Sequence, residues 1–330
     1  MTDPIALVSA AVLAAALAVA LLVDHYLGEP PVRWHPVVWM GNYLNWAANR
    51  LQPKPSPEVR DLKTFWLAAH YWLGGVAMVL IVSYAVQSAA LWLPWYLAAP
   101  LLGLAFKPML AWAMLSGEVQ AVEAALSESL EAGRERLSWL VSRDTSTLSE
   151  SEVRESAIES LAENLNDSVV APIFWFVLFG LPGAAIYRFA NTADAMWGYP
   201  GLRHGVNWAW AGKWAARADD VLSWLPARLT ALLLALVAGG LNLKRLRCEA
   251  RKTPSPNSGW PMAAMALALN IRLGKPSVYT LHAAGRTPLA LDTAQAQKIA
   301  SKVVLWHCLL AGAAIISIAR LTQSWKCWIP

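Results

Sequence analysis

Charge is scarce in this sequence. Only 15% of its 330 residues are Asp, Glu, Lys or Arg, against about 25% in an ordinary soluble domain. A solvated surface all round is therefore excluded. The three cysteines, Cys248, Cys308 and Cys327, lie far apart with no Cys-x-x-Cys. That excludes a zinc knuckle and leaves no disulfide framework. The six histidines include no His-Glu-x-x-His, and no Gly-x-x-x-x-Gly-Lys-Ser/Thr, Gly-x-Gly-x-x-Gly or Gly-x-Ser-x-Gly occurs. Any phosphate handling must then use scattered Arg and Lys with a carboxylate-held metal. No repeat of 20–50 residues argues for a solenoid, and no alternating run of useful length argues for strands. The basic residues form no stripe interleaved with aromatics, so nucleic acid is not an expected partner.

What the chain does have is apolar length. Apolar residues make up 57% and Trp numbers 19, with a mean hydropathy of +0.38; indole rings favour the membrane interface. The segment 5–23 is 19 residues without a charge, enough for about 30 Å of hydrocarbon. Further apolar blocks fall at 65–90, 91–115, 169–189, 227–243 and 303–318. The expected fold is all-α: one polytopic helical membrane domain over 1–330, with the lipid bilayer as its partner. A signal peptide competes for the first block, but Asp3 is the only early charge and the run is long for an h-region.

Loop charge orients the chain. Arg33, Arg50, Lys54, Arg60 and Lys63 follow the first block, so that loop should be cytoplasmic. The loops 116–168 and 244–252 should be cytoplasmic as well, the latter with five basic residues. The chain must cross an even number of times between them. The stretch 169–179 is only 11 apolar residues before Gly180-Leu181-Pro182-Gly183. A re-entrant pair of half-helices is the preferred reading there, and a kinked full span the competing one. Pro53, Pro55 and Pro57 mark a stiff loop. The net charge of +5 suits either anionic lipid or a phosphorylated substrate.

Polar residues gather in a few clusters. On a helix, Glu152, Glu155, Glu159 and Glu163 share one face and Ile158, Leu161 and Leu165 the other; Ser149 and Glu152 form a capping-box pattern. Such a stripe is ordinarily a solvated face. Here Glu163, Asn164, Asn166 and Asp167 continue it straight into apolar sequence, and these are the hard oxygen ligands that Mg²⁺ prefers. Arg188, Asn191 and Asp194 form a second cluster, with Asn191 and Asp194 on one helix face. Arg217, Asp219 and Asp220 form a third; its competing reading is a local ion pair with Arg217 or Arg228. Asn257 sits in a Pro-Asn-Ser-Gly-Trp-Pro turn. Asp24, Gly28, Glu29 and His35 follow the first block, where His35 also reads as a satisfied interfacial histidine.

At these clusters the sequence resembles the adenosylcobinamide-phosphate synthase family, the membrane amide ligases of cobalamin biosynthesis. The matching segments are 24–41 (DHYLGEPPVRWHPVVWMG), 143–145 (RDT), 159–172 (ESLAENLNDSVVAP), 187–199 (YRFANTADAMWGY), 217–229 (RADDVLSWLPARL) and 256–261 (PNSGWP). Glu29 stands where Asp is usual, Leu165 and Ser168 where small or polar residues are common, and Met262 where an acid is frequent. The resemblance implies an ATP-dependent amide bond between adenosylcobyric acid and an amino alcohol, as its O-phosphate, with Mg²⁺ and ATP required. It places the protein in the cell inner membrane with the site at the cytoplasmic face. Residue chemistry at the matched positions then assigns Glu159, Glu163, Asn166 and Asp167 to the metal. Asn164, Asn191 and Asn257 bind the nucleotide. Asp194, Asp219 and Asp220 supply a second metal site or a base, and Arg143, Arg188 and Arg217 bind phosphate. A non-catalytic sensor of the same fold and a transporter are the competing functions; the retained acids oppose the first, the missing repeat the second. The number of copies is open, a homo-oligomer included.

Overall fold

The structure, a computed structural model, describes residues 4–51, 53, 60–203 and 205–326; Lys54, Pro55, Pro57 and Cys327 lie outside them. In chain order it runs α1 (Pro4–Leu27), a 3-10 turn (Val32–Trp34), α2 (Pro36–Ala48), α3 (Leu62–Leu91), α4 (Trp95–Phe106), α5 (Trp112–Glu128), α6 (Leu130–Leu137) and α7 (Glu150–Leu165). A π-helical turn (Asn166–Val170) leads to α8 (Ala171–Trp197), β1 (Leu202–Arg203), β2 (Val206–Asn207), α9 (Lys213–Leu222) and α10 (Trp224–Val237). Then come α11 (Leu243–Ala250), α12 (Gly259–Leu269), β3 (Leu273–Lys275), β4 (Tyr279–Leu281) and α13 (Ala290–Lys326). Among the described residues, five helical stretches are long and apolar enough to cross a membrane: Leu7–Leu27, Leu62–Leu91, Trp95–Glu128, Glu150–Trp197 and Ala290–Leu321. The bent pair α9 and α10 makes a sixth if it is one span. The chain is a multi-pass helical membrane protein.

Two apolar blocks differ from their expected form, and a third keeps its expected break. The block 91–115 is broken: Pro94 precedes α4, and a 3-10 turn at Lys107–Met109 separates it from α5. Proline removes a helical donor and forces the preceding residue out of the helical region. The block 227–243 stops at Val237, because Gly239 and Gly240 take φ of 86° and 110°. Its helix of 14 residues is too short to cross alone. The block 169–189 is helical on both sides of a single break at Gly180, with φ 66° and ψ −152°.

Gln87 of α3 fills that break. Its Oε1 accepts a hydrogen bond from Leu181 N at 2.7 Å. A Cβ at Gly180 would collide with the same oxygen, so glycine is required by both the positive φ and the close approach. Satisfying the freed amide from a neighbouring helix is how a broken helix survives in an apolar setting.

Helix starts are set by local chemistry. Asp61 caps α3 through Thr64 N at 3.1 Å, and His35 accepts from Val37 N at 3.2 Å ahead of Pro36. The capping box read at Ser149 and Glu152 is present, with Ser149 N donating to Glu152 Oε2 at 2.7 Å.

The described chain divides into two compact units. The first comprises 1–110, 171–222 and 310–330; α1 packs on α4, and α3 packs with α2, α8 and α9. Its packing is close: Phe106 stacks on Phe176 with centroids 4.1 Å apart. A buried ionic cluster lies at the end of α1. Lys107 Nζ is 2.7 Å from Glu29 Oε2 and 3.4 Å from Asp24 Oδ1, and His35 Nε2 is 3.0 Å from Glu29 Oε2. The second unit comprises 111–170 and 223–309. Here α5, α6, α12 and β3 surround α7, and Val122, Leu126, Leu137, Leu148, Val153 and Ala157 form an apolar cluster at its start. The two antiparallel hairpins, β1–β2 and β3–β4, have strands too short for any alternation to register in the sequence.

Candidate active site

The α7 helix carries Ser156, Glu159, Ser160, Glu163 and Asn164 at helical spacing on one face. They line a pocket of about 190 Å³ closed by Leu140, Arg143, Lys275 and Tyr279. The carboxylate stripe is therefore not a solvated face. Each acid does something different. Glu152 closes the capping box, and Glu155 is paired with Arg272 at 3.0 Å. Glu159, 5% exposed, faces Arg143 at 3.7 Å. Glu163 lines the pocket beside Asn164.

Arg143 donates to Ser156 Oγ through Nη2, which aims the guanidinium along the α7 face. Ser156 Oγ in turn donates to Glu152 O at 2.6 Å. Asn164 Nδ2 donates to Ser160 O at 2.9 Å, leaving its Oδ1 to the pocket. The Glu159 carboxyl is hydrogen-bonded to Tyr279, yet its Oε1 atom is buried with no close hydrogen-bond partner among the described residues. A buried, unmatched carboxylate oxygen is expensive unless something binds it. Opposite, Lys275 and Tyr279 are direct cross-strand partners in the β3–β4 hairpin. Burial first, then the nearby Glu159 and Glu163, push the Tyr279 phenol far above its ordinary value, so it stays a proton donor. The pocket thus offers two cations, two carboxylates and a phenol.

The other expected ligands are placed elsewhere. Asn166 sits in the π-helical turn, 2% exposed; its Oδ1 accepts from Thr230 Oγ1 at 3.0 Å and its Nδ2 donates to Asp167 Oδ1 at 2.7 Å. The wider turn rotates these two residues out of the α7 register, and neither lines the pocket. No group of three or more His, Cys, Asp or Glu able to hold a metal ion occurs among the described residues. Asn257, 4% exposed, accepts from Arg228 Nη1 at 2.6 Å, so its amide oxygen is committed to the protein.

Arg188, Asn191, Asp194, Arg217, Asp219 and Asp220 belong to the first unit. There α8 packs against α9, and Asn191 Nδ2 reaches Asp219 Oδ1 at 3.4 Å. Arg188, Asp194, Asp219 and Asp220 are all engaged in contacts, and Arg217 is exposed. The hydrogen bonds of Arg228 go to Trp224 O, Asn257 and Pro256 O, so the expected ion pair of Arg228 with these acids is not among them.

Lys275, Tyr279, Ser156 and Ser160 had no motif to mark them. Only the Pro276-Ser277 turn signals the hairpin that brings Lys275 and Tyr279 to α7.

Fold and pocket together define a class: a multi-pass helical membrane protein holding a compact pocket of two cations, two carboxylates and a phenol. The chain belongs to the CobD/Cbib protein family, whose model matches residues 17–306. The probable cobalamin biosynthesis protein CobD of Methanothermobacter thermautotrophicus is 39% identical over 276 residues, 80% of this chain and 85% of that protein. The cobalamin biosynthesis protein CobD of Chromobacterium violaceum is 38% identical over 318 residues, 91% and 96% of the two chains. The probable counterpart of Thermococcus kodakarensis is 40% identical over 280 residues, 85% and 88%. No solved structure matches this chain.

Proposed function

We propose that this protein is an ATP-dependent amide ligase of cobalamin biosynthesis. It joins adenosylcobyric acid to (R)-1-amino-2-propanol O-phosphate, or a related amino alcohol, giving adenosylcobinamide phosphate. The observation that carries the reading is the α7 pocket, where Arg143 and Lys275 face Glu159 and Glu163; the names of the relatives supply the pathway.

A carboxylate does not react with an amine at neutral pH, because its leaving group would be oxide. In the proposed reaction the propionate oxygen attacks the terminal phosphorus of ATP and ADP departs. The amine nitrogen then attacks the acyl carbon, the C–O bond to phosphate breaks, and the nitrogen loses a proton. Arg143 and Lys275 offset charge on the transferring phosphoryl group. Tyr279 donates a hydrogen bond to a phosphate oxygen. The proton released by the nitrogen passes to water.

The donor set fits Mg²⁺. It needs only one or two carboxylates when nucleotide phosphates and water complete its shell, and the unmatched Glu159 Oε1 with Glu163 supplies them. Bound there, Mg²⁺ would lower the charge on the phosphates. Because ATP is cytosolic, the reading places the pocket at the cytoplasmic face of the inner membrane.

The test is incubation of membranes containing the protein with adenosylcobyric acid, aminopropanol phosphate, ATP and Mg²⁺, with the amide detected by mass. Wild type should form product and Glu163→Gln at least 100-fold less. No product from wild type, or undiminished product from the variant, would sink the proposal.

A further inference from the structure

A second pocket in the same unit shares no lining residue with the α7 pocket. It is a dish of about 600 Å³ between the start of α10, the end of α11 and the 251–260 turn, lined by Trp224, Arg228, Arg247, Arg251, Ser255 and Trp260 among others. No carboxylate lines it. The nearest acid in sequence, Glu249, is turned away to Lys252 at 2.7 Å and to His282 N at 2.6 Å.

The three arginines are not equivalent. Arg228 is built into the wall: it lies over Trp224 at 4.6 Å and Trp260 at 4.9 Å. Its guanidinium donates to Trp224 O, Asn257 Oδ1 and Pro256 O. Those bonds hold the α10 start to the 256–260 turn and fix the two indoles on either side of a positive charge. The rim beside it is rigid as well, since Ser255 Oγ accepts from Asn257 N and Ser258 N, both at 3.2 Å. Arg247 and Arg251 are exposed, and among the described residues neither side chain has a hydrogen bond, ion pair or ring contact. Residues four apart on a helix stand side by side, so the two free forks, at the last turn of α11 and its C-cap, open onto the same dish. Free arginine forks are bidentate donors for phosphate oxygens, and indole faces accept the organic part of a ligand.

We infer that this dish is a binding site for an organic phosphate ester, with Arg247 and Arg251 holding the phosphate and Trp224, Trp260 and Arg228 forming the wall. A soluble phosphomonoester and an anionic lipid headgroup share that chemistry.

Full-length protein in phosphatidylcholine nanodiscs is titrated with labelled O-phosphoethanolamine, and in parallel its retention of phosphatidylglycerol is counted by native mass spectrometry. Arg247→Gln/Arg251→Gln is compared with Lys298→Gln/Lys302→Gln, which removes the same charge from exposed positions of α13. Saturable binding of the phosphoester, weakened tenfold or more in the arginine variant and within twofold of wild type in the lysine control, assigns a soluble ligand. Phosphatidylglycerol retention lost only in the arginine variant assigns a lipid. If neither readout separates the two variants, the site does not exist. Arg251→Gln alone, at an exposed position, repeats the comparison should the double variant fold poorly.

Discussion

Lys107 and Glu29 form an ion pair at 2.7 Å, with only 2% of the lysine side chain exposed. They are 78 positions apart, and together with Asp24 and His35 they tie the end of α1 and the following loop to the turn after α4. Removing one partner of such a pair leaves an uncompensated buried charge, whereas removing both is far milder. Lys107→Met should therefore destabilise the first unit by about 3–5 kcal/mol. Adding Glu29→Gln and Asp24→Asn should recover a large part of that loss. Thermal denaturation in detergent reads both, and equal melting temperatures for single and triple variants would count against a charged cluster.

The same cluster sets a pH dependence. Burial opposes ionisation of Glu29, but hydrogen bonds from His35 and Lys107 outweigh it and hold its carboxyl below the ordinary value of 4.5. The unfolded chain then binds the proton more tightly than the folded one. Stability from Glu29 is complete above about 4.5 and is lost as pH falls through the lower folded value. Wild type should lose its advantage over Glu29→Gln across that window, measured as melting temperature against pH. A constant gap between the two would show that Glu29 does not titrate in this way.

Gln87 is predicted to matter for stability and not for chemistry. Gln87→Leu leaves Leu181 N without its acceptor, at a cost of about 1–3 kcal/mol. Gly180→Ala should be at least as damaging, because the added methyl meets Gln87 while φ stays positive. Hydrogen exchange at Leu181 should rise in Gln87→Leu. An unchanged exchange rate would contradict the hydrogen bond.

Arg143 and Arg272 sit near the same helix with different predicted effects. Arg143→Gln removes a cation from the pocket and should lower ligase kcat/KM by at least about 100-fold, with the melting temperature little changed. Arg272→Gln removes the partner of Glu155, which is 3% exposed, and should act mainly on stability. Steady-state kinetics beside melting curves distinguishes them; the reverse pattern would move the site away from Arg143.

Ser149→Ala tests the start of α7. Loss of the capping box should cost about 1 kcal/mol, seen as reduced stability with turnover per folded molecule retained. A selective loss of turnover would mean that Ser149 acts in the site.

Much of this protein could be read before any fold was known. Long uncharged runs must leave water, so the membrane class and most of the spans follow from hydropathy alone. Ser149 and Glu152 are three residues apart, and their mutual bonding needs nothing beyond the helix they begin. Gly180 with Pro182 announces a break for equally local reasons. Four-residue spacing likewise puts Glu155, Glu159 and Glu163 on one face of α7.

What that face does was decided by residues outside its own helix. Arg272 takes Glu155 out of play, Arg143 turns to Glu159, and Lys275 and Tyr279 arrive on a hairpin of three-residue strands too short to leave a periodic trace. The π-helical turn adds a residue to the repeat and carries Asn166 and Asp167 away from the glutamates that precede them. Local pattern records which way a side chain points from its own helix. Its partner is set by packing between segments as far as 117 residues apart, and only the assembled fold supplies that.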